Sequence, residues 1–421
     1  MKKLLFAILA FFTFTVLVAQ PPAPKQDTLR KDALNVFMDA SDYVKKEIPF
    51  INYVRDIKVA DLYIITTFEQ TGSGGYKYTY FLEGQGKYQG KSDTLSFIST
   101  PDDTEETTRI KQVQTLKMGL MRYVEKTPLA SYMNITFTEP LSETVTTDKW
   151  KSWVFRTNLS GYLTGQKMYK STNVNTGFSA SKVTKDWKIN LDASYYFRKD
   201  LYITDTLGTR YVSTYDEKSL NVLIVRSIND HWSYGGTLYL GGSSYSNYFL
   251  NSKIMPGIEY DIFPYSQSTR KQLRLLYKIG AGYYIYNDTT IYERTRQPVG
   301  IHSFTAAYQV VEKWGSINLS MVYSNYLQDW SKNNLGTELY LELRVAKGLR
   351  VYWAGGAYIV HDQINLPKQG ASVEEMLTRR RELESQYNYY SMFGFSYTFG
   401  SIYNNVVNPR FSSGSNNMIM F

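Results

Sequence analysis

From about residue 145 to residue 401 the chain reads as a series of segments in which apolar and polar residues alternate, and that period constrains its fold more than any other feature. In "WKINLDASYYF" (187–197), Trp187, Ile189, Leu191, Ala193, Tyr195 and Phe197 take one face of a strand. Lys188, Asn190, Asp192, Ser194 and Tyr196 take the other. "LRLLYKIGAGYYIY" repeats the scheme, with Leu273, Leu275, Tyr277, Ile279, Ala281, Tyr283 and Ile285 opposed to Arg274, Lys278, Gly280 and Gly282. "TELYLELRV" sets Leu339, Leu341, Leu343 and Val345 against Glu338, Glu342 and Arg344. Twelve such segments are recognised: 153–166, 170–184, 186–203, 210–227, 231–247, 252–264, 271–287, 300–312, 315–328, 334–346, 349–362 and 388–400. In a soluble sandwich the apolar face would meet a protein core, whereas in a membrane barrel it would meet lipid and the polar face a lumen.

The connections between segments separate these cases. Joins after even-numbered strands are short, as in "TKDW", "INDHW", "VEKWG" and "AKGL", with "PYSQSTRKQ" a longer one. Joins after odd-numbered strands include "ITDTLGTRYV", "YNDTTIYERTRQPVG" and the stretch 363–387. Short turns on one side and longer loops on the other are the pattern of outer-membrane barrels, the short side being periplasmic. An even strand count returns the chain to its starting side. The chain's 38 tyrosines suit a surface that passes from lipid to water, because the ring is apolar and the hydroxyl is not.

The first residues, "MKKLLFAILAFFTFTVLVAQ", have the layout of a secretory signal peptide over 1–19, with cleavage expected after Ala19. The apolar run from Leu4 to Val18 is shorter than the ~20 residues of a spanning helix, and no such run follows Gln20. With no cysteine in the chain, a lipoprotein anchor, a disulfide framework and thiol chemistry are excluded. The net charge of +9 has no basic helix or RNA-binding signature attached to it, so nucleic acid is not an expected partner. Anionic lipid headgroups are a better counter-charge than nucleic acid, and a general surplus without a partner is the simpler reading.

Between a polar linker (20–32) and a second linker (141–152) the pattern is mixed. "LNVFMDA" reads as a strand, 41–54 as a helix capped by Ser41, and 61–70, "YKYTYFLEGQ" and "SDTLSFIST" as strands. A long helix follows, with Ile110, Val113, Leu116, Leu120 and Val124 on one face and Asp102, Asp103, Glu105 and Glu106 at its positive end. "YMNITFTEP" closes the series, and βαβββαβ describes a small α/β (α+β) domain over 33–140.

The strand series and the closing strand "YYSMFGFSYTFG", with Phe395, Tyr397 and Phe399, resemble a Gram-negative outer-membrane β-barrel of the salt-induced outer-membrane-protein type. That likeness covers the barrel half of the chain and implies a location and a fold. The expected fold is therefore an all-β transmembrane antiparallel barrel of about 12 strands over 153–401. A periplasmic α/β domain precedes it, and a periplasmic tail over 402–421 follows, running past the strand whose aromatic ending closes the family barrels.

The candidate lumen-lining residues are Lys188, Asp192, Arg198, Glu259, Asp261, Arg274, Lys278, Glu338, Glu342 and Arg344, with Arg350 beside them. If strands six and seven pair across a turn near Ser266 to Ser268, Asp261 lies opposite Arg274 and Glu259 near Lys278. Such pairs line an ion path in a wide barrel and fill the interior of a narrow one. No catalytic, cofactor or metal residues are expected. His302 and Ser303 are adjacent on a strand and point to opposite faces, no GxSxG elbow is present, and His231, His302 and His361 are scattered. "TGSGGYK" (71–77) reads as a hairpin turn rather than a phosphate loop. "SVEEMLTRRRELESQY" should form a helix with a capping box, Ser372 to Glu375, on which Arg379, Arg380 and Arg381 read first as a solvated face and second as a contact for lipopolysaccharide phosphates.

These readings lead to a non-enzymatic outer-membrane barrel acting as a small channel or transporter, whose domain at 33–140 contacts a periplasmic or outer-membrane protein. The alternative is an accessory or structural subunit of an assembly or export complex. A lipid-active hydrolase is the outside reading.

Overall fold

The computed structural model describes residues 32–135, 148–203, 210–370 and 382–400. The first sheet contains β1 (Asn35–Phe37), β2 (Asn52–Tyr53), β3 (Leu62–Gln70), β4 (Tyr76–Gly84) and β5 (Ser92–Ser99), in the spatial order β2-β1-β3-β4-β5. β1 runs parallel to both neighbours, while β3, β4 and β5 form an antiparallel meander. The 71–77 stretch is the hairpin turn between β3 and β4, closed by the Thr71 amide on the Gly75 carbonyl at 2.9 Å.

Two helices accompany this sheet, α1 (Asp42–Glu47) and α2 (Glu105–Val124). Ser41 caps α1 by accepting from the Val44 amide at 3.4 Å. The expected helix over 41–54 is shorter: α1 stops at Glu47, and Asn52–Tyr53 pair with β1. Pro49 is the physical reason, since it removes a helical donor and drives Ile48 out of helical geometry. Thr104 caps α2 through the Thr107 amide at 3.1 Å, and Glu105 and Glu106 occupy the first turn. Val113, Leu116, Leu120 and Val124 are buried as their spacing implies, whereas Ile110 is 42% exposed and lies outside the core. Gly119 lets α2 touch the sheet: a Cβ there would lie 2.4 Å from Leu95 Cδ1. Of the strand expected over 132–140, Tyr132 belongs to a 3-10 turn, and 136–140 lie outside the described residues.

Both faces of this small sheet are covered, which explains why Leu62, Tyr63, Ile64 and Ile65 are all buried. Leu62, Ile64, Tyr80 and Leu82 pack against Val44, Leu116, Leu120 and Tyr123 on the helix side. Each fully buried Leu there contributes about 1.5–3 kcal/mol. Phe37, Val54, Ala60, Tyr63 and Ile65 form a second cluster on the opposite side, joined by Phe81 and by Val311 of the other sheet.

The second sheet has twelve antiparallel strands in sequence order. They are β6 (Trp153–Gly165), β7 (Tyr169–Val183), β8 (Trp187–Ile203), β9 (Arg210–Ser227), β10 (Trp232–Ser243), β11 (Tyr248–Asp261), β12 (Lys271–Tyr286), β13 (Arg296–Glu312), β14 (Gly315–Tyr326), β15 (Asp329–Ala346), β16 (Leu349–Val360) and β17 (Tyr387–Tyr397). β6 and β17 are the edges of this order. Each expected segment is a strand, but β11, β13 and β15 begin four to five residues earlier than the alternation alone implies. Ladder hydrogen bonds need backbone, not apolar side chains, so strands outrun the hydrophobic pattern. The loops 244–247 and 327–328 are consequently tight, and the asymmetry of connections rests on 204–209, 287–295 and 361–386.

One face of this sheet is apolar and exposed, with Leu238 at 37%, Ile254 at 60%, Ile279 at 45% and Phe304 at 42%. No helix among the described residues is long and apolar enough to cross a membrane.

Candidate functional site

Directly opposed residues of antiparallel strands point to the same face, so the register assigns the charged candidates. Lys188, Asp192 and Arg198 of β8 lie opposite Val225, Asn221 and Tyr215 of β9. Lys278 lies opposite Ser303, Ser303 opposite Ser324, Glu338 opposite Ser320, and Glu342 opposite Tyr352. All belong to the polar face, as do Glu259, Asp261 and Arg274.

Asp261 and Arg274 are register partners, as expected. The ion pair, however, joins Arg274 Nε to Glu259 at 3.5 Å. The expected neighbour of Glu259, Lys278, lies opposite Gly257 and has no carboxylate of the described residues within 4.0 Å. Glu259 faces Leu276, midway between the two cations in sequence, and the long guanidinium fork of Arg274 makes the contact. Arg198 pairs with Asp200 of its own strand at 2.8 Å, and Arg350 with Glu342 at 3.7 Å. Ser303 is buried on the polar face, whereas His302 sits opposite Ile279 on the apolar face among Tyr277, Tyr323 and Trp330. His231 Nδ1 lies 2.7 Å from the Asp261 carbonyl oxygen at a turn. Among the described residues no group of three or more His, Cys, Asp or Glu could hold a metal. The helix expected from Ser372, and Arg379 to Arg381 with it, lie outside the described residues.

The densest charge cluster lies where the two sheets meet. Short turns of the large sheet carry cations, and the face of the small sheet opposite its helices carries carboxylates and rings. Glu83 accepts from Arg270 at 3.1 Å and faces Lys313 at 2.7 Å, and Arg270 also donates to Glu312 at 2.9 Å. The guanidinium of Arg270 stacks over Phe81 at 5.3 Å from the ring centre. Arg344 leaves the expected lumen-lining set: it stacks over Phe37 at 4.8 Å and donates to the Tyr63 hydroxyl at 3.3 Å. Its position near the end of β15 directs it to the junction rather than along the polar face. Lys347 reaches Asp56 at 3.0 Å, Ser268 donates to Glu69 at 3.4 Å, and Arg156 donates to the Ser73 carbonyl at 3.4 Å. Ser181 donates to the Gly72 carbonyl. The hairpin turn and the β4 end are thus held by opposite parts of the large sheet.

The Lys347 ammonium, with the Lys58 amide, holds the Asp56 carboxyl below its ordinary value of 3.8. A lowered folded value means that this contact contributes fully above the ordinary pKa and is lost as pH falls through the lowered one. Lys347 is 59% exposed, so the contribution is modest. Acidification below about pH 4 should therefore loosen the junction at this corner. Hydrogen exchange at residues 56–60 should rise at low pH, and Asp56→Asn should abolish that pH dependence while raising exchange at neutral pH.

At the opposite end of the large sheet the segment 361–370 folds across its neighbours. The Ile291 amide donates to the Leu366 carbonyl and the Lys368 amide to the Thr289 carbonyl, both at 2.8 Å. Asn247 donates to the Asn365 carbonyl at 2.8 Å and Asn365 donates to the Ser246 carbonyl at 3.0 Å. Ile364 is buried with Met255, Tyr284, Tyr286, Val299 and Ile301, beside Tyr248 and Tyr326. An aromatic layer and a crossing loop therefore cover the polar face at this end.

No protein-family model matches the chain, and no curated protein matches it.

The junction cations Arg270, Lys313 and Lys347 lie in the connections between strands. Their signal is the recurrence of a basic residue in "STRKQ", "VEKWG" and "AKGL", all on one side of the strand series. Four consecutive apolar residues in "LYII" carry the matching signal that the small sheet needs a cover on both faces.

Proposed function

We propose that the chain is a non-enzymatic outer-membrane β-barrel that acts as a small channel or transporter, with its α/β domain in the periplasm as a cap on the turn end. The observation that carries this reading is the seating of one small domain on one end of the large sheet, through Arg156 near the start of β6, Ser181 near the end of β7, and Arg270, Lys313 and Lys347 in turns as far as the one that enters the eleventh strand. Strands lie about 4.8 Å apart, so ten spacings of a flat sheet span roughly 48 Å. A domain of about 100 residues has a radius of gyration of about 13 Å, which is a diameter of roughly 30–35 Å. One domain reaches both sides only if the sheet rolls, and rolling brings the β6 and β17 edges toward each other.

Two further features support lipid around the outside. Trp150, Trp153, Trp187, Trp232 and Trp314 cluster at the turn end, as an interfacial belt does. Trp330, Tyr387 and Tyr389, exposed by 63–74%, stand at the other end. The likeness to salt-induced outer-membrane barrels agrees with this placement.

Planar-bilayer recording of the purified full chain tests the function. We expect discrete steps of low open probability, because both ends of the polar face are covered. Absence of steps under every voltage and pH applied would remove the channel reading. A second reading, a subunit of an export or assembly complex, is favoured by Phe68 and Tyr76, neighbouring rings that are 67% and 42% exposed on the helix-side face of the small sheet. A stable partner lost on Phe68→Ser with Tyr76→Ser would support it.

A further inference from the structure

Near the crossing loop the polar face holds a cavity of about 250 Å³ walled by Tyr215, Glu217, Tyr239, Tyr245, Tyr248 and Asn251. Its chemistry has one sign. Glu217 is a carboxylate, already orienting the Tyr215 hydroxyl at 2.5 Å, and Asn251 Oδ1 is buried without a hydrogen-bond donor among the described residues. The tyrosines contribute ring faces, with Tyr215 and Tyr245 edge to face at 6.3 Å. Among the described residues no cation lines the cavity. The cations on register neighbours are occupied elsewhere: Arg198 opposite Tyr215 pairs with Asp200 at 2.8 Å, Lys253 opposite Tyr239 sits over Tyr284 at 5.5 Å, and Lys218 opposite Gly242 sits over Phe249 at 5.3 Å.

A carboxylate, an undonated amide oxygen and several aromatic faces recognise a positive ligand that carries N–H donors. The volume is below the roughly 300–1,000 Å³ of drug-sized sites, so the ligand is small. We infer that this cavity binds a small organic ammonium ion, such as a linear diamine or polyamine. One ammonium lies against Glu217 and the tyrosine rings, and its N–H groups donate to the carboxylate and to Asn251 Oδ1. Neutral sugars and anions are disfavoured, the first because nothing satisfies the carboxylate charge and the second by repulsion from Glu217.

The position gives the site a role at an entrance. Residues 245–247 of its rim hold the crossing loop: the Glu382 amide donates to the Tyr245 carbonyl at 3.1 Å, and Asn365 and Asn247 make the bonds described above. A ligand that settles against Tyr245 therefore lies beside the residues that bond Asn365 and Glu382. This inference rests on the reading of the polar face as an interior surface.

The test is isothermal titration of the detergent-solubilised full chain with spermidine, with putrescine, with glucose and with glutamate. Saturable binding of the amines alone is expected, weakened by salt. Glu217→Gln should weaken it about tenfold, since a charge-assisted pair becomes a neutral one. Tyr245→Leu should weaken it further while Glu217→Asp retains most of it. Unchanged heat-modifiable migration on gels shows that each variant is folded. Equal binding of glucose, or amine binding unmoved by Glu217→Gln in folded protein, overturns the inference. Bilayer recording of the same samples separates the two readings: amine binding without conductance defeats the channel and leaves the site standing. Conductance without amine binding does the reverse.

Discussion

Replacing Glu83 with Lys should release the α/β domain from the turn end and raise the open probability of the full chain about tenfold or more. Glu83 is 23% exposed and receives Arg270 and Lys313 together, so the substitution removes two charge-assisted contacts and places a third cation among them. Each such hydrogen bond is worth about 1.5–3 kcal/mol, and every 1.4 kcal/mol is a factor of ten in a docking equilibrium. The domain itself should stay folded, because Tyr80 and Leu82 of the same strand face the helices and Glu83 faces the junction. Pairing Glu83→Lys with Arg270→Glu should recover part of the closed behaviour. Limited proteolysis between residues 141 and 152 should become faster in the single variant and slower again in the double one. A single variant with unchanged conductance and unchanged cleavage would mean that the ion cluster does not hold the cap.

Ile279→Arg should fail to insert, or should lose roughly 2–4 kcal/mol of stability in lipid vesicles, where its neighbour Lys278→Arg is nearly neutral. The two positions are adjacent on β12, yet Ile279 is 45% exposed on the apolar face and Lys278 shares the polar face with Ser303. A charge facing hydrocarbon near the midplane must be desolvated, whereas a charge facing a lumen keeps water and polar neighbours. Urea unfolding in vesicles measures the difference. Equal tolerance at both positions would show that the apolar face does not meet lipid.

These two expectations come from different depths of the same sequence. That Ile279 and Lys278 face opposite ways follows from a period of two, which survives any error in strand ends. The early starts of β11, β13 and β15 show that the ends themselves were less legible, because backbone pairing continues where side-chain alternation stops. Pro49 ends α1 within the stretch that the Ser41 cap opens, so the helix is shorter than 41–54. Ile110 has the helical register of the core residues of α2 and is nevertheless 42% exposed, because register alone does not say how far the packing partner extends.

Site chemistry was legible only as lists of residues on faces. Glu259 pairs with Arg274 rather than Lys278, and Arg344 turns from the polar face to Phe37 and Tyr63, because partner choice depends on side-chain reach and on an element far away in sequence.

By itself the sequence determined the strand period, the count of alternating segments, the two-faced character of each and the presence of a separate α/β segment. All of these are local, set by side-chain alternation, caps and turn residues within a few positions. Only the tertiary structure decided that Arg270, Lys313, Arg344 and Lys347 converge on the small sheet, and that residues 361–370 fold across the other end. Those contacts join residues as far apart in sequence as Lys347 and Asp56, and no local preference encodes which distant partner a turn cation meets.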